Sequence, residues 1–449
     1  MFSSASSRFI RISGRHLRHG VNLTSYKLRA TGVIQTGQSG GSTVFRNTHR
    51  CFSSTTSPDT QQPLETEYGL HQGDKFAAVT KRAVVQVSGD DSSKFLQGLI
   101  TNHMPKIDQG GSGFFTCFLA PQGRVMFDAF VYPKNFGSNF LHPVFLIETD
   151  IRARETLLKI LRFYKLRSRV QFVDVSSEYS VWSVWGPGQE ALIGKPDKPM
   201  KHLPRGSLIF KETEIEGTQI WQHDIRTPDM GLRLLLSADA KPKLPSSFSE
   251  LDSDEYTLRR ILKGVAEGAD DYVMDQSLPL ECNLDYMHGV DFNKGCYLGQ
   301  ELTIRSHHRG VVRKRVVPVI ATRASSVHSH LDPNPPILDC NTDILMPPSQ
   351  SEISWKTIVS NNSDPAGTGN QKDAAAAAPK RVRKTSPAKL GSSIFNAGLA
   401  LMRLEHIEQF LLQTANKKAE QGPQHAFVMD DQKGSSLYLY PRIPSWWPR

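Results

Sequence analysis

Acidic residues are missing from the first 52 positions of this 449-residue chain, where the first acid is Asp59. The same stretch holds Arg8, Arg11, Arg15, Arg18, Lys27, Arg29, Arg46 and Arg50, with Ser and Thr frequent between them. Arginine-spaced, acid-free N-termini are what mitochondrial import selects, so residues 1–52 are expected to be a targeting presequence. Phe2, Phe9, Ile10 and Ile12 set against the arginines predict an amphipathic start. Arg50-Cys51-Phe52-Ser53 resembles a processing site cleaved after Phe52. The formal net charge is +10, and without those eight basic residues it falls to +2. The basic balance therefore lies in the leader, which weakens it as a sign of nucleic-acid binding.

Long apolar runs are also missing. Val144–Ile147 and Phe114–Ala120 are core-strand sized, well short of the roughly 18 residues that a membrane-spanning helix needs. Cysteine is scarce: Cys51, Cys117, Cys282, Cys296 and Cys340, with no CxxC or other short chelating spacing. That argues against a self-contained zinc site or a four-cysteine cluster. A disulfide framework is not expected in a large matrix protein either.

What is present suffices for two or three domains with real cores. Residues 53–66 are polar and read as a flexible lead. Ala83–Val87 predicts a strand. Gly89-Asp90-Asp91-Ser92 offers turn and N-cap chemistry before a short helix bearing Phe95, Leu96, Leu99 and Ile100. Gly113–Tyr132 predicts two strands joined at Pro121-Gln122-Gly123, and Phe145–Glu148 another. Arg152–Phe163 predicts an amphipathic helix with Leu157, Leu158 and Leu161 inward; Val181–Val184 and Ile220–His223 predict further strands. Leu258–Ala266 predicts a helix with Arg259, Arg260 and Lys263 as its polar face, and 267–293 an ordered connecting segment.

A strand-rich region follows from Val311, interrupted at about 359–390 by Ala374–Ala378 and the run Lys380-Arg381-Val382-Arg383-Lys384, which predict a disordered insertion. The adjacent Trp446 and Trp447 near the terminus are expected to pack onto a groove of their own domain. Strands and helices mix without a regular βαβ repeat, so the fold class is α+β. The expected divisions are 67–245, a helical and connecting segment 246–310, and a C-terminal domain 311–449.

The residues with the most chemical promise are Lys294-Gly295-Cys296-Tyr297-Leu298-Gly299-Gln300-Glu301. Gly295 removes bulk beside the sulfur. Lys294 and a helix beginning near Tyr297–Gly299 would both favour a thiolate, which can attack an electrophile or ligate soft iron. A small buried hydrophobe is the alternative. His288, His307 and His308 are candidate bases, but no spacing fixes them beside the sulfur. A lone cysteine cannot hold a cluster, so a ligand role requires an outside partner. Arg305, His307, His308, Arg309, Arg313, Lys314 and Arg315 form a basic stretch suited to an anionic ligand or an acidic partner face. It lacks the interleaved aromatics of RNA binders, and nucleic acid is not an expected partner. Arg124 and Asp128, four apart in a strand, would share a face.

Together these residues resemble the YgfZ/GcvT-like folate-binding family, in its mitochondrial iron–sulfur assembly branch. The octamer KGCYLGQE is its specific signature. It sits in an extended match from Leu278-Pro279-Leu280-Glu281 through Asn283-Leu284-Asp285 and Asp291-Phe292 to Arg305. Phe95–Asn102, Gln122-Gly123-Arg124, Trp185-Gly186-Pro187, Asp224-Ile225-Arg226, Gly231-Leu232-Arg233 and Ala397–Arg403 also match.

The resemblance implies a mixed antiparallel-sheet and helix region around a central channel, closed by a small C-terminal β-barrel. It implies a matrix factor, rather than an enzyme, that helps mature [4Fe–4S] proteins such as aconitase and lipoate synthase together with A-type cluster carriers. Cys296 would be the reactive thiol or a ligand to an iron–sulfur cluster shared with a partner. Lys294, Gly295, Tyr297, Gly299, Gln300, Glu301 and Arg305 would shape that site. Tetrahydrofolate would occupy the channel near Arg124, Asp128, Arg226 and Arg233, and a folate-dependent aminomethyl transferase is the alternative. Aminomethyltransferases carry two adjacent acids after the turn glycines and lack the octamer; here the positions read Phe127-Asp128.

Overall fold

The computed structural model describes residues 73–108, 112–134, 143–193, 220–323, 336–358, 388–415 and 424–448. The expected presequence, the flexible lead and positions 359–387 of the expected insertion lie outside the described residues.

In chain order come β1 (Asp74–Ala78), β2 (Arg82–Ser88), α1 (Ser92–Gln97), β3 (Phe114–Leu119), β4 (Val125–Pro133), β5 (Val144–Asp150), α2 (Arg154–Tyr164), β6 (Gln171–Asp174), β7 (Tyr179–Trp185), β8 (Ile220–His223), β9 (Leu232–Ser237), β10 (Phe248–Leu251) and α3 (Ser253–Leu262). A turn-rich segment leads to α4 (Gln300–Arg309). Then follow β11 (Lys314–Arg323), β12 (Glu352–Ile358), β13 (Ala388–Ile394), β14 (Ala397–Arg403), α5 (Leu404–Ala415), β15 (Gln424–Asp430) and β16 (Ser436–Pro441). β13 takes in positions 388–390, which the sequence places in the insertion.

Two five-stranded sheets run in the orders β3-β4-β5-β2-β6 and β10-β1-β7-β9-β8. All pairings are antiparallel except β1 with β10. β3 and β4 are apolar runs rather than alternating patterns because both faces are covered: every residue of β3 is buried. α2 turns Leu157, Leu158 and Leu161 inward, one stripe at helical spacing. Asp91 stands at the α1 N-cap position, but its carboxylate accepts the Arg169 backbone N–H instead (2.7 Å).

The C-terminal strands close a barrel in the order β11-β14-β13-β12-β15-β16. Closure removes the exposed edges that an open sheet would present. Phe410 of α5 joins Val317, Val319, Phe427 and Leu439 in its core.

The terminal tryptophans fasten the barrel to what precedes it. Trp446 donates its indole N–H to the Lys263 carbonyl (2.8 Å), and Trp447 lies edge-on to Tyr286 (5.6 Å). They therefore reach onto the 246–310 segment as well as their own domain.

The polar face expected on α3 is not exposed. Arg259, Arg260 and Lys263 are 2%, 7% and 2% exposed, because α3 packs between β1 on one side and β13 and β14 on the other. Burial requires partners for such charges. Arg260 pairs with Asp271 (2.7 Å), Arg259 lies over the Trp185 ring and donates to the Asp229 carbonyl, and Lys263 donates to the Pro228 carbonyl (3.2 Å). No helix among the described residues is long and apolar enough to cross a membrane.

Candidate functional site

The octamer folds as a loop that reaches Gly299 and then enters α4. Its anchor is Lys294. The ammonium donates to the carbonyls of Gln97 (2.8 Å), Ile100 (2.5 Å) and Asn102 (2.9 Å), at and just beyond the end of α1. An ammonium has three donors, and here each meets an acceptor. A cation at a helix C-terminus also suits the orphan carbonyls and the dipole there. The Tyr297 ring faces the same ammonium at 4.6 Å. Burial pulls the Lys294 pKa down to about 7, against the pull of Asp291.

The loop is stitched to the 97–102 segment at further points. Leu298 N–H donates to the Gly98 carbonyl (3.0 Å), Asp291 N–H to the Thr101 carbonyl (3.0 Å), and Asp291 pairs with Lys106 (2.8 Å). The Pro121-Gln122-Gly123 turn supplies the other wall. Gly299 adopts φ +76°, and a Cβ there would lie 2.3 Å from the Ala120 carbonyl oxygen. A Cβ on Gly123 (φ +82°) would lie 2.8 Å from the Gly299 carbonyl oxygen. Both glycines are required by close backbone approach. Three sequence segments that seemed separate thus make one unit.

Cys296 sits at the outer edge of that unit and is exposed, whereas Cys117 and Cys282 are buried and Cys340 is half-buried. Gly295 is also exposed, and a Cβ added to it would touch nothing within 4 Å. Tyr297, by contrast, is 6% exposed and belongs to the core; its hydroxyl has no hydrogen-bond partner among the described residues. The helix starts at Gln300, slightly later than the sequence suggests, with Gln300 Oε1 accepting the Tyr297 N–H (3.2 Å). Lys294 spends its donors on the carbonyls of Gln97, Ile100 and Asn102.

α4 is exposed over most of its surface, with only Thr303 buried. Gln300, Glu301, Ile304, Arg305, His308 and Arg309 line an open groove of about 480 Å³ along one face. His307 stacks on Phe292 (ring centroids 3.7 Å apart), tying the helix back to the loop. The basic stretch is divided. Arg305, His307, His308, Arg309 and Arg313 are exposed, but Arg315 is buried, paired with Asp285 (2.8 Å) and stacked on Tyr286 (3.7 Å).

Of the residues expected around folate, the structure joins three. Asp128, Arg226 and Arg233 lie at 0%, 0% and 1% exposure. Arg124 does not join them. The strand pairing shifts between Phe118 and Leu119, β4 begins only at Val125, and Arg124 stands exposed in the turn, donating to the Gln276 carbonyl (2.6 Å). Strand alternation therefore does not carry Arg124 onto the face of Asp128.

The buried three belong to a network that the sequence showed only in part. Arg233 pairs with Glu148 (2.6 Å) and Glu267 (3.2 Å); Arg226 with Asp224 (2.7 Å) and Glu267 (2.8 Å); Arg82 with Glu148 (2.6 Å) and, more loosely, Asp128 (3.4 Å). Tyr256 and Tyr132 donate hydroxyls to Glu267 (2.7 Å) and Glu148 (2.8 Å). Arg226 and Arg233 stack on Phe130 at 4.8 and 4.3 Å. Burial tends to raise Glu267, but Arg233, Arg226, Arg82 and Arg260 together hold it well below the usual carboxylate range. Burial lifts the pKa of Asp128 against the pull of Arg82, with Glu267 adding to the rise. Four carboxylates face three guanidiniums, and this excess of negative charge opposes ionisation of Asp128 in the same direction as its burial.

These residues do not fit folate as arranged. Their charges are spent on one another, and the side chains that would meet a pterin are sealed from water. The missed members were signalled weakly. Glu148 closes the apolar run Phe145-Leu146-Ile147, and Arg233 stands between Leu232 and Leu234. A charge inside an apolar strand implies a buried partner.

Known proteins resemble this chain along most of its length. A family profile described as "CAF17, C-terminal beta-barrel domain" matches residues 313–449, the region that closes the barrel. A protein of Mycosarcoma maydis named "Iron-sulfur cluster assembly factor IBA57 homolog, mitochondrial" is 36% identical over 388 residues, covering 83% of this chain and 85% of its own. One of the same name from Aspergillus oryzae is 31% identical, covering 89% of this chain and 88% of its own. Among solved structures, the glycine cleavage system aminomethyltransferase T of Bartonella henselae aligns with a TM-score of 0.49 and 10% identity, over 84% of this chain and 88% of that one.

Proposed function

The chain belongs to the mitochondrial IBA57 family of iron–sulfur cluster assembly factors, and from that premise we propose that Cys296 lends a thiolate ligand to a cluster brought by a carrier protein. The observation that carries this reading is the exposure of Cys296 without companions. Among the described residues no group of three or more His, Cys, Asp and Glu side chains could hold a metal. The remaining ligands must then come from outside, and the cluster is cargo rather than a resident group.

The loop is suited to that task. Lys294, Gly299 and the Gly98 carbonyl fix its ends, so presenting the sulfur costs little ordering entropy on docking. The α4 groove beside it, with Glu301, Arg305 and His308, offers a surface for the carrier. The partner class proposed is the A-type carrier of the mitochondrial matrix. The recipients are [4Fe–4S] apoproteins of the aconitase and lipoate synthase kind.

A tetrahydrofolate-dependent one-carbon transferase is the competing reading. The sealed network at Asp128, Arg226 and Arg233 speaks against it. The decisive experiment is anaerobic reconstitution of an A-type carrier with this chain, wild type and Cys296→Ala. Loss of the shared-cluster absorption and of aconitase rescue in the variant is the expected result. Unchanged absorption and rescue would remove the ligand role, and tight calorimetric binding of tetrahydrofolate with one-carbon turnover would replace the whole reading.

A further inference from the structure

The C-terminal end of α2 and the turn after it present a surface that the cluster reading does not use. Residues 159–169 contain Lys159, Arg162, Lys165, Arg167 and Arg169 and no acid. Phe163 is 74% exposed and Leu166 is 87% exposed. α2 sends Leu157, Leu158 and Leu161 into the core, so Phe163 lies on the side away from it. Leu166 has φ +43°, a left-handed conformation unfavourable for leucine, and in it the side chain stands almost wholly in solvent. α2 packs beside the edge strand β6, whose Val173 is a further 46% exposed.

We propose that this turn docks the protein onto an anionic phospholipid bilayer. Phe163 and Leu166 enter the interface, while Lys159, Arg162, Lys165 and Arg167 meet headgroup phosphates. Charge complementarity carries the choice of occupant. None of those four basic residues has an ion-pair partner among the described residues, so all four are available to a phosphate plane. Arg169 is partly spent on Asp90 (3.2 Å) and Asp91 (3.5 Å) and marks the rim.

Large apolar side chains among free cations are the signature of an interfacial anchor. A nucleic-acid surface would interleave several stacking rings with its cations; here Phe163 lies edge-on to Tyr164 (5.0 Å), and the most exposed apolar group is the aliphatic Leu166. Each basic residue near an anionic surface raises partitioning by roughly fivefold, within a Debye length. Docking of this kind is peripheral and reversible by salt, consistent with the lack of a membrane-crossing helix among the described residues.

The test uses the full chain with phosphatidylcholine vesicles, with or without phosphatidylglycerol, and reads hydrogen exchange across 159–169 alongside vesicle flotation. A local readout separates this turn from the basic N-terminal residues, which remain in every sample. Slower exchange in this segment with phosphatidylglycerol vesicles only, reversed by salt, is the expected result. Phe163→Ser with Leu166→Ser, both at exposed positions, should lower the partitioning due to this turn roughly tenfold. Four outcomes overturn the proposal: no slowing in the segment, equal slowing with neutral vesicles, equal slowing by single-stranded RNA or polyglutamate without lipid, or slowing that rises with protein concentration alone. The last would assign the face to a second copy of the chain.

Discussion

The Nζ of Lys294 lies 2.8 Å from the carbonyl oxygen of Gln97, 197 positions earlier in the chain. That contact joins the end of α1 to the loop bearing the exposed cysteine. The lysine of the octamer therefore clamps the loop that carries Cys296 to the 97–102 segment. A catalytic cation beside the sulfur is not what its contacts describe.

Replacing Lys294 by Met should leave three carbonyls without a donor and cost about 2–4 kcal/mol of unfolding free energy. The cost should depend on pH. Burial lowers the Lys294 pKa from 10.5 to about 7. Between those values the unfolded chain holds a proton that the native chain has shed, so the lysine's contribution to stability rises with pH across that window and is flat below it. Denaturant titrations of wild type and Lys294→Met at pH 6, 8 and 9.5 measure the difference. A difference that moves against wild type as pH rises would show that the carbonyls, and not burial, set the charge.

The two glycines that flank Cys296 should behave oppositely. Gly299→Ala forces a Cβ to 2.3 Å from the Ala120 carbonyl at φ +76°. A loss of about 2–3 kcal/mol is expected. Gly295→Ala meets open space, so stability should stay within about 0.5 kcal/mol of wild type. If the glycine clears room for a docking carrier, Gly295→Ala weakens carrier binding in calorimetry without moving the melting temperature. Equal melting losses in both variants would refute the assignment.

Much of this was legible in the sequence. The apolar runs of β3 and β5, the Leu157–Leu161 stripe and the turn at Gln122-Gly123 are local patterns, and local patterns survive folding. The octamer's own residue types left packing and chemistry both open, and its resemblance to a family signature singled it out as a candidate site. What the sequence concealed is tertiary. Arg259, Arg260 and Lys263 have the polar periodicity of a solvated face, and the packing of α3 between β1 and the barrel strands β13 and β14 buries them. Arg82 and Glu267 give no local hint of meeting Arg233 and Glu148, because their pairing depends on how the sheets face each other. Arg124 misled through one register shift, to which spacing is blind.

The buried network should tolerate loss of one acid better than another. Glu148 holds two guanidiniums and a tyrosine. Glu148→Gln should cost about 3–5 kcal/mol, since Arg82 and Arg233 each lose the shorter of their two ion pairs in a buried setting. Asp128 is the loosest member, 3.4 Å from Arg82, with its pKa raised above 3.8 by burial. Asp128→Asn should cost less than half as much. It should also remove a pH dependence: above pH 3.8 the unfolded chain releases a proton that native Asp128 keeps, so wild-type stability declines with rising pH up to the folded pKa. Urea midpoints of the two variants between pH 4 and 8 decide the matter, and a costlier Asp128→Asn would overturn this ranking.

Cys296 should be a thiol that the folded chain leaves open to reagents, in contrast to Cys117 and Cys282. Burial raises the Cys282 pKa to about 12 and that of Cys117 well above its ordinary value, so both stay protonated and sealed. The thiolate is the nucleophile. Iodoacetamide on the native protein should therefore modify Cys296 early, while Cys117 and Cys282 react only after denaturation; peptide mass mapping gives the order. Nothing packs against the Cβ position of the neighbouring Gly295, so the carbamidomethyl group should be accommodated and the melting temperature should hold. Carrier-shared cluster absorption should nevertheless vanish, because the alkylated sulfur can no longer ligate iron. A modified protein that still forms the shared cluster would mean that the carrier uses a different ligand, and that the loop's rigidity serves docking alone.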